Sequence, residues 1–174
     1  MIPAIAFILL SSGLVWISWE PLRQPGSHGF YRFFAWELIL GLFVLNLQGW
    51  FADPFAWHQI VSWLLLIACL VPLIAGVLLL RRSGQPTDAL EATTNLVTGG
   101  IYRIIRHPLY ASLLLLAWGI FFKSPSLLDG CLAAVATAFL YATARADEAE
   151  CLVKFGDGYA DYMRRTRMFL PYIF

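Results

Sequence analysis

Residues Trp57 to Leu80 read WHQIVSWLLLIACLVPLIAGVLLL, an apolar run that contains no charged side chain. A helix rises about 1.5 Å per residue and the hydrocarbon core of a bilayer is about 30 Å thick, so about 20 such residues cross it. Pro72 has no backbone N–H and is expected to kink this helix. The run therefore predicts a transmembrane helix and makes lipid its solvent.

The same apolar character continues on both sides of this run. Of the 174 residues, 60% are hydrophobic and 13% are charged, against about 25% charged in soluble domains. Further long apolar segments are typical of membrane spans; they lie near Ile2–Trp19, Phe33–Phe51, Leu109–Phe122 and Ser126–Ala144. Because a short link joins the last two segments, we expect a C-terminal helical hairpin. The predicted fold is an all-α polytopic membrane protein with five transmembrane helices.

Basic residues give the predicted orientation, because Lys and Arg resist translocation across the membrane. With the N-terminus outside, eleven of the 12 Lys and Arg residues fall on the cytoplasmic side and only Lys123 falls outside. We therefore expect an integral protein of the cell membrane with a cytoplasmic C-terminus. The first apolar segment is interpreted as a retained span. Glu37, about one turn inside the second predicted span, is expected near the interface and in reach of water.

Composition also limits the classes of ligand. The formal net charge of +1 gives no reason to expect nucleic acid as a partner, since phosphate backbones require a basic face. Three scattered cysteines, Cys69, Cys131 and Cys151, provide neither a disulfide framework nor a metal cluster. No metal site is expected.

A first polar constellation, Asn95–Tyr110, reads NLVTGGIYRIIRHPLY and leads into the fourth span. Pro108 suits the first position of a helix, with His107 as its cap, so the amides after it could face an anion such as a carboxylate. Tyr102 and Tyr110 offer aromatic faces, which attract cations such as a sulfonium.

Two interpretations of this stretch stay open on composition alone. Gly99 and Gly100 would let the backbone approach a ligand closely. Alternatively, the stretch is a basic membrane boundary in which Arg103 and Arg106 anchor a span and the tyrosines lie in the interface.

A second polar constellation, Arg145–Glu150, reads RADEAE at the end of the fifth predicted span. Charges at this point are also expected for any helix that leaves the membrane. The hairpin, however, returns them to the membrane face that carries His107 and Tyr110, which predicts one cytoplasm-facing pocket lined by those residues and Glu148. The following segment, Tyr159–Arg167, predicts a short interfacial helix.

At these residues the sequence resembles the isoprenylcysteine carboxyl methyltransferase family and related membrane phospholipid methyltransferases. The similarity is a run of motifs in the C-terminal half: Asn95-Leu-Val-Thr, Gly100-Ile-Tyr, Arg106-His-Pro-Leu-Tyr, Asp147-Glu148, Phe155-Gly156, Tyr159, Tyr162 and Pro171. The run is more specific than any of its parts. It implies one methyltransferase domain over residues 1–174, with three spans in 1–81 and the part that binds S-adenosylmethionine in 95–174.

The resemblance also implies the residues of the site. Those expected to bind S-adenosylmethionine are Asn95, Leu96, Val97, Tyr102, His107, Pro108, Leu109, Tyr110, Asp147 and Glu148. Those expected to act on the substrate are Glu148, Arg145 and Arg106. The chain departs from the family pattern in three places. Asp147 replaces a glutamate, Ser112 replaces a glycine, and Arg145 is offset by about half a turn from the arginine that binds a substrate carboxylate.

The implied activity is methylation of a lipophilic substrate that enters from the bilayer, with S-adenosylmethionine as the methyl donor. Carboxyl O-methylation of an isoprenylcysteine-like molecule needs no general base, only a cation such as Arg145 or Arg106 that orients the carboxylate. Phospholipid amine N-methylation is the alternative, and would use Glu148 to accept a proton. An alternative of another class is a non-catalytic membrane scaffold or transporter subunit, which the scarcity of polar residues at mid-membrane disfavours.

Overall fold

The structure is a computed structural model that describes residues 2–85 and 94–171. Over these ranges the chain is helical and has no β-strand, apart from one isolated parallel bridge between Ile105 and Arg167. This confirms the all-α fold. The helices are α1 (Ile2–Ile17), α2 (Trp19–Leu22), α3 (His28–Leu45), α4 (Trp57–Ala68), α5 (Leu70–Leu79), α6 (Pro108–Phe121), α7 (Leu127–Phe155) and α8 (Asp157–Arg165).

Within the described residues, three helical segments are long and apolar enough to cross a membrane: His28–Leu45, Trp57–Gly84 and Leu127–Phe155. Two further apolar helices, Pro3–Ile17 and Pro108–Phe121, are shorter. Since about 20 helical residues are needed to cross a bilayer, the number of five spans stays a prediction.

Proline and glycine determine several helix boundaries. The segment Trp57–Gly84 is interrupted at Cys69, between α4 and α5, because Pro72 has no N–H for the carbonyl of residue 68 and its ring crowds that carbonyl. The backbone of Cys69 stays in the helical region (φ −63°, ψ −26°), so the interruption is one residue long and the kink stays a prediction. Pro108 is the first residue of α6, as expected. At the end of α7, Gly156 has a φ of 55°, a backbone conformation that favours glycine.

Helices α3 and α7 differ in their bounds from the predicted apolar segments Phe33–Phe51 and Ser126–Ala144, and α3 already ends at Leu45. Helix α7 continues eleven residues beyond Ala144 to Phe155, because alanine, glutamate and arginine favour helix even where hydropathy falls. Helix α3 begins at His28, where the hydroxyl of Ser27 accepts a hydrogen bond from the Phe30 amide (3.1 Å). Glu37 consequently lies mid-helix and not about one turn inside the span. Its Oε1 accepts a hydrogen bond from the Ser11 hydroxyl (3.0 Å).

Backbone contacts divide the chain into two compact units. The first unit comprises Met1–Ile67 and Leu114–Asp147, and the second comprises Ala68–Leu113 and Glu148–Phe174. A single domain over 1–174, with its spans and its cofactor-binding part, stays a prediction. Residues 172–174 of the predicted cofactor-binding part lie outside the described residues.

Small residues allow close packing in the first unit. A Cβ on Gly119 would lie 2.9 Å from Cδ2 of Leu66, so α4 and α6 approach closely there. The Ser62 hydroxyl donates to the Gly119 carbonyl (2.7 Å). On the other side of α6, the Trp118 indole donates to the Thr137 hydroxyl on α7 (3.1 Å), as a helical hairpin requires.

The second unit has an aromatic core. Leu80, Val97, Tyr102, Tyr159 and Tyr162 form a buried cluster. The Tyr side chains of α8 therefore pack against protein. The amphipathic pattern of Tyr159–Arg167 predicted a helix that lies at the membrane interface. The helix is present, but Tyr159 and Tyr162 on its apolar face are buried against other residues of the protein. Helix α8 itself runs from Asp157 to Arg165.

Candidate functional site

The site is built in the second unit on two extended backbone segments that lie side by side. Arg106 N donates to the Arg167 carbonyl (2.7 Å), and His107 N donates to the Met168 carbonyl (3.2 Å). In the opposite direction, Arg167 N donates to the Ile104 carbonyl (3.1 Å). The chain after α8 thus fixes the residues that immediately precede α6.

Arg106 and Glu148 form a buried ion pair at the centre of the site. Nε and Nη2 of Arg106 each lie 2.8 Å from Glu148 Oε1, and the side chains are 10% and 2% exposed. Arg106 Nη1 donates to the carbonyls of Thr166 (2.6 Å) and Met163 (3.2 Å). One guanidinium therefore joins α7, α8 and the segment that enters α6.

His107 lies beside this pair. Its Nε2 is 3.4 Å from Glu148 Oε1, and its ring is stacked on Tyr110 with centroids 5.4 Å apart and planes 17° apart. Phe169 closes another side, with its ring centroid 6.1 Å from that of His107. When Nε2 is the protonated nitrogen of His107, its N–H points toward Oε1 of Glu148. The carboxylate then orients the imidazole.

The start of α6 comes close to α5. The Ala111 amide donates to the His107 carbonyl (2.9 Å), which makes His107 the residue before the first helical turn. A Cβ on Gly76 would lie 3.1 Å from Leu109 and 3.3 Å from Pro108. Glycine at position 76 therefore permits the close approach that positions the first turn of α6.

An aromatic cluster supports the segment before Arg106. The Tyr162 hydroxyl donates to the Tyr102 carbonyl (2.7 Å), and burial raises the pKa of Tyr162 above its usual range. The phenol therefore keeps its proton, and the hydrogen bond that it donates, to higher pH than an exposed tyrosine would. Gly100 has a φ of 55°, and a Cβ there would lie 2.5 Å from Cδ1 of Leu79. No other residue would fit this turn without displacing the leucine.

Apart from Pro108, which begins α6, the predicted site residues divide into three groups. The structure brings Arg106, His107, Tyr110 and Glu148 together in one buried cluster. Val97 and Tyr102 are buried in the aromatic core, with Leu96 and Leu109 packed against it.

The others lie at the surface or farther along the helices. Asn95 is exposed, and its backbone N–H donates to the Gly84 carbonyl (3.2 Å). Arg145 is exposed and Asp147 half-buried, on the part of α7 that belongs to the first unit. Ser112, where the family pattern has glycine, is buried and donates to the Leu109 carbonyl (2.6 Å). Among the residues that the structure describes, no group of three His, Cys, Asp or Glu side chains could hold a metal ion.

Two contributions to the site were missed by sequence reasoning. Arg106 was expected to orient a substrate, but the structure shows it bound to Glu148 and to backbone carbonyls. Phe169 was not expected to contact His107. The proximity of Arg106 to His107 in sequence was an available signal. The predicted hairpin brings Glu148 back toward His107, but it does not indicate that Arg106, 42 residues away, is the partner of Glu148.

Residues 57–155 match the phospholipid methyltransferase family. The chain belongs to this family. The matched range runs from α4 to the end of α7 and includes His107 and Glu148, whereas α8 lies beyond it.

One curated relative shares part of this region. Over 76 residues the chain is 34% identical to methanethiol S-methyltransferase 2 of Bradyrhizobium diazoefficiens. That alignment covers 42% of this chain and 28% of the relative, so the chain spans less than a third of the relative's length. No solved structure matches the chain.

Proposed function

We propose that the protein is an integral membrane methyltransferase that uses S-adenosylmethionine to methylate a lipophilic substrate. The observation that carries this proposal is the buried cluster of Arg106, His107, Tyr110 and Glu148 at the start of α6. Family membership supports methyl transfer as the reaction class.

The chemistry of the cluster fits the proposed cofactor. When bound, S-adenosylmethionine would supply an electrophilic methyl group on a positively charged sulfur. The stacked rings of His107 and Tyr110 offer π faces that attract a cation. The first turn of α6, where Leu109 and Tyr110 follow Pro108, would offer backbone amides to a carboxylate. Asn95, Leu96, Val97, Tyr102, Asp147 and Glu148 would complete the binding residues.

Arg106 and Glu148 are best assigned a positioning role. Both Nη1 contacts of Arg106 go to backbone carbonyls, and Nε and Nη2 hold Glu148. A carboxylate bound by a guanidinium is stabilised in its ionised form. It is therefore a weak proton acceptor, and its contribution is to orient His107 beside Tyr110.

This assignment favours an acceptor that needs no protein base. A carboxylate is ionised at neutral pH, so its methylation requires only that nucleophile and methyl carbon be held about 3 to 3.5 Å apart. Carboxyl O-methylation of an isoprenylcysteine-like or other lipophilic acid is accordingly the leading reaction. Exposed Arg145 is the proposed cation for the substrate carboxylate.

Two other acceptors are candidates. A phospholipid amine is the acceptor that the family description suggests, but an amine is mostly protonated at pH 7 and would require Glu148 as base. A thiol is the acceptor named in the relative methanethiol S-methyltransferase 2, and it loses its proton more readily than an amine. A non-catalytic scaffold remains the alternative outside the enzyme class.

The membrane arrangement is part of the proposal. We infer five spans, with α1 and α6 added to the three long segments, an outside N-terminus and a cytoplasmic C-terminus in the cell membrane. Large exposed apolar side chains on α1, including Ile8, Leu9 and Trp16, support its contact with lipid. Single cysteines at Arg23 and Ser124 in a cysteine-free background, labelled from one side of sealed vesicles, test this topology: only Ser124 should react from outside.

Calorimetry on the detergent-solubilised full chain tests cofactor binding. Wild type should bind S-adenosylmethionine, and His107→Ala and Tyr110→Leu should each weaken binding at least about tenfold, a loss of about 1.4 kcal/mol. His58→Ala, in the first unit, is the matched control and should bind as wild type does. The proposal is wrong if wild type does not bind, or if both site variants bind unchanged.

A methyl-transfer assay with labelled S-adenosylmethionine then identifies the acceptor. A prenylcysteine analogue, a long-chain fatty acid, dimethylphosphatidylethanolamine and octanethiol represent the candidate classes. Carboxyl methylation should be independent of pH from about pH 6 to about pH 8, whereas amine methylation should rise with pH as the amine loses its proton.

A further inference from the structure

A basic pocket lies at the surface of the second unit, and none of its residues belongs to the predicted cofactor site. Its volume is about 550 Å³, and it is lined by Arg103, Ile104, Arg164, Arg165 and Arg167. All five side chains are exposed. Its size falls within the range of about 300 to 1,000 Å³ that is typical of sites for small ligands.

The fold holds these arginines together. Arg103 ends a short 3-10 turn (Gly100–Arg103), and Arg164 and Arg165 occupy the last turn of α8. The bridge between Ile105 and Arg167, with the hydrogen bond from Arg167 N to the Ile104 carbonyl (3.1 Å), fixes the two sides relative to each other. The cluster is thus part of the same backbone framework that positions His107.

The charge of the pocket is largely uncompensated by the protein. Asp161 pairs with Arg164. Arg103, Arg165 and Arg167 form no ion pair with any residue in the described ranges 2–85 and 94–171. The whole chain has a formal net charge of only +1, so this is a local concentration of positive charge. Like charges gathered around a concave surface repel one another and attract anions.

We propose that this pocket binds the phosphate-bearing headgroup of an anionic membrane lipid. Planar guanidinium groups bind phosphate oxygens in a bidentate manner, and arginines from two segments can contact one phosphate from two sides. Ile104, which is 42% exposed, adds an apolar wall to the pocket. An apolar wall suits a headgroup that continues into an acyl chain better than free phosphate. The binding site stands whether or not the proposed methyl transfer occurs.

The position of the pocket predicts that it influences the site at His107. Arg103 and His107 are four residues apart on one segment, and Arg167 N and O both bond to that segment. A headgroup that holds Arg103 and Arg167 together would stabilise this pairing. Lipid binding is therefore expected to reduce the motion of the segment that carries the candidate site.

Calorimetry with short-chain lipids tests the proposal on the detergent-solubilised full chain. Dihexanoyl phosphatidylglycerol should bind at least about tenfold more tightly than dihexanoyl phosphatidylcholine, and its affinity should fall as salt screens the arginines. The double variant Arg103→Gln/Arg165→Gln should weaken phosphatidylglycerol binding by at least about tenfold. The control Arg81→Gln, an exposed arginine outside the pocket, should bind as wild type does.

A conservative variant separates charge from geometry. Arg103→Lys/Arg165→Lys keeps the charge and loses the bidentate donors, so it should bind with intermediate affinity. Unchanged thermal unfolding of each variant would show that the exposed substitutions leave the fold intact. Equal binding of the two lipids, or wild-type binding by the Gln variant, overturns the proposal. Inorganic phosphate that binds as tightly as phosphatidylglycerol also overturns it, in favour of a soluble anion.

Discussion

The two units each bury a charged side chain, and they compensate its charge in different ways. In the second unit, Glu148 is 2% exposed and binds the guanidinium of Arg106. In the first unit, Lys123 is 1% exposed, and no carboxylate within the described residues pairs with it. Its Nζ donates to Gln59 Oε1 (3.1 Å) and the Trp50 carbonyl (3.4 Å) and lies 3.6 Å from the Trp63 ring centroid.

The difference indicates a separate role for each buried charge. An ion pair between α7 and the segment before α6 has a defined geometry that can orient a third group, here His107. Dipoles and aromatic faces stabilise a cation without such a partner. The side chains around Lys123 hold the link between α6 and α7 in place. There, Gln59 Nε2 donates to the Lys123 carbonyl (3.0 Å) and the Gly49 carbonyl (2.7 Å). The first arrangement suits a functional site and the second a structural junction.

The largest expected effect comes from breaking the ion pair. Arg106→Ala leaves a buried carboxylate without its main partner and removes the bonds to the Thr166 and Met163 carbonyls. The free energy of unfolding should fall by about 3 to 5 kcal/mol, measured by denaturant unfolding in detergent. The double variant Arg106→Ala/Glu148→Ala should lose less than the sum of the single losses.

Exposed Arg81→Ala is the control and should change stability by less than about 0.5 kcal/mol. If Arg106→Ala behaves like this control, the ion pair does not hold the site together.

A smaller loss is expected when the uncharged partner of Lys123 is removed. Gln59→Leu deletes the acceptor of the ammonium and the donor to two backbone carbonyls. Unsatisfied buried polar groups cost about 1 to 3 kcal/mol, so unfolding should become easier by about that amount. Gln48→Leu, at a neighbouring exposed glutamine, should have little effect. Equal stability of the two variants would contradict the role assigned to Gln59.

Glu148 and Lys123 also differ in how well the sequence predicts their surroundings. The apolar run from Trp57, Pro108 at the start of α6, and the motif residues His107 and Glu148 were readable because hydropathy, proline chemistry and motif spacing are local signals. Lys123 was read only as the outside exception to the charge bias. Its burial depends on Gln59, 64 residues away, and no periodicity in the sequence reports such a contact.

The sequence indicates a helix that continues past the fifth span, but neither the end of α7 nor the surface that covers α8 is readable from it. Hydropathy detects where lipid contact ends, whereas a helix continues into water for as long as its residues favour helix. It therefore placed the end at Ala144, while α7 ends at Phe155. The buried face of α8 was visible as a pattern, but a pattern does not distinguish protein from lipid as the surface that covers it.

A still smaller loss is expected when the buried cation itself is removed. Lys123→Met keeps the length and apolar stem of the side chain while it removes the desolvated charge, so the cost should be below about 1.5 kcal/mol. In this background, Gln59→Leu should cost less than it does in the wild type, because no ammonium is left without its acceptor. Chemical denaturation of the four proteins gives the coupling. Additive losses would mean that Gln59 acts only through its backbone bonds.

The smallest effect is a pH dependence of stability that the buried ammonium of Lys123 should produce. Burial lowers the pKa of Lys123, so the unfolded chain binds more protons than the folded one between the folded and unfolded pKa values. Stability should therefore rise with pH in that window. The stability of wild type relative to Lys123→Met should increase from about pH 8 to about pH 10.

Above this range Tyr162, whose pKa burial raises, opposes the trend, because its folded form keeps a proton that the unfolded form releases. Tyr162 is present in both proteins, so its contribution cancels in the difference between them. A difference that stays constant with pH would mean that the ammonium is solvated like an ordinary surface lysine. Because burial lowers the pKa of Lys123, the folded protein becomes more stable relative to the unfolded chain as this ammonium loses its proton. A cation whose pKa is raised by a carboxylate would have the opposite effect.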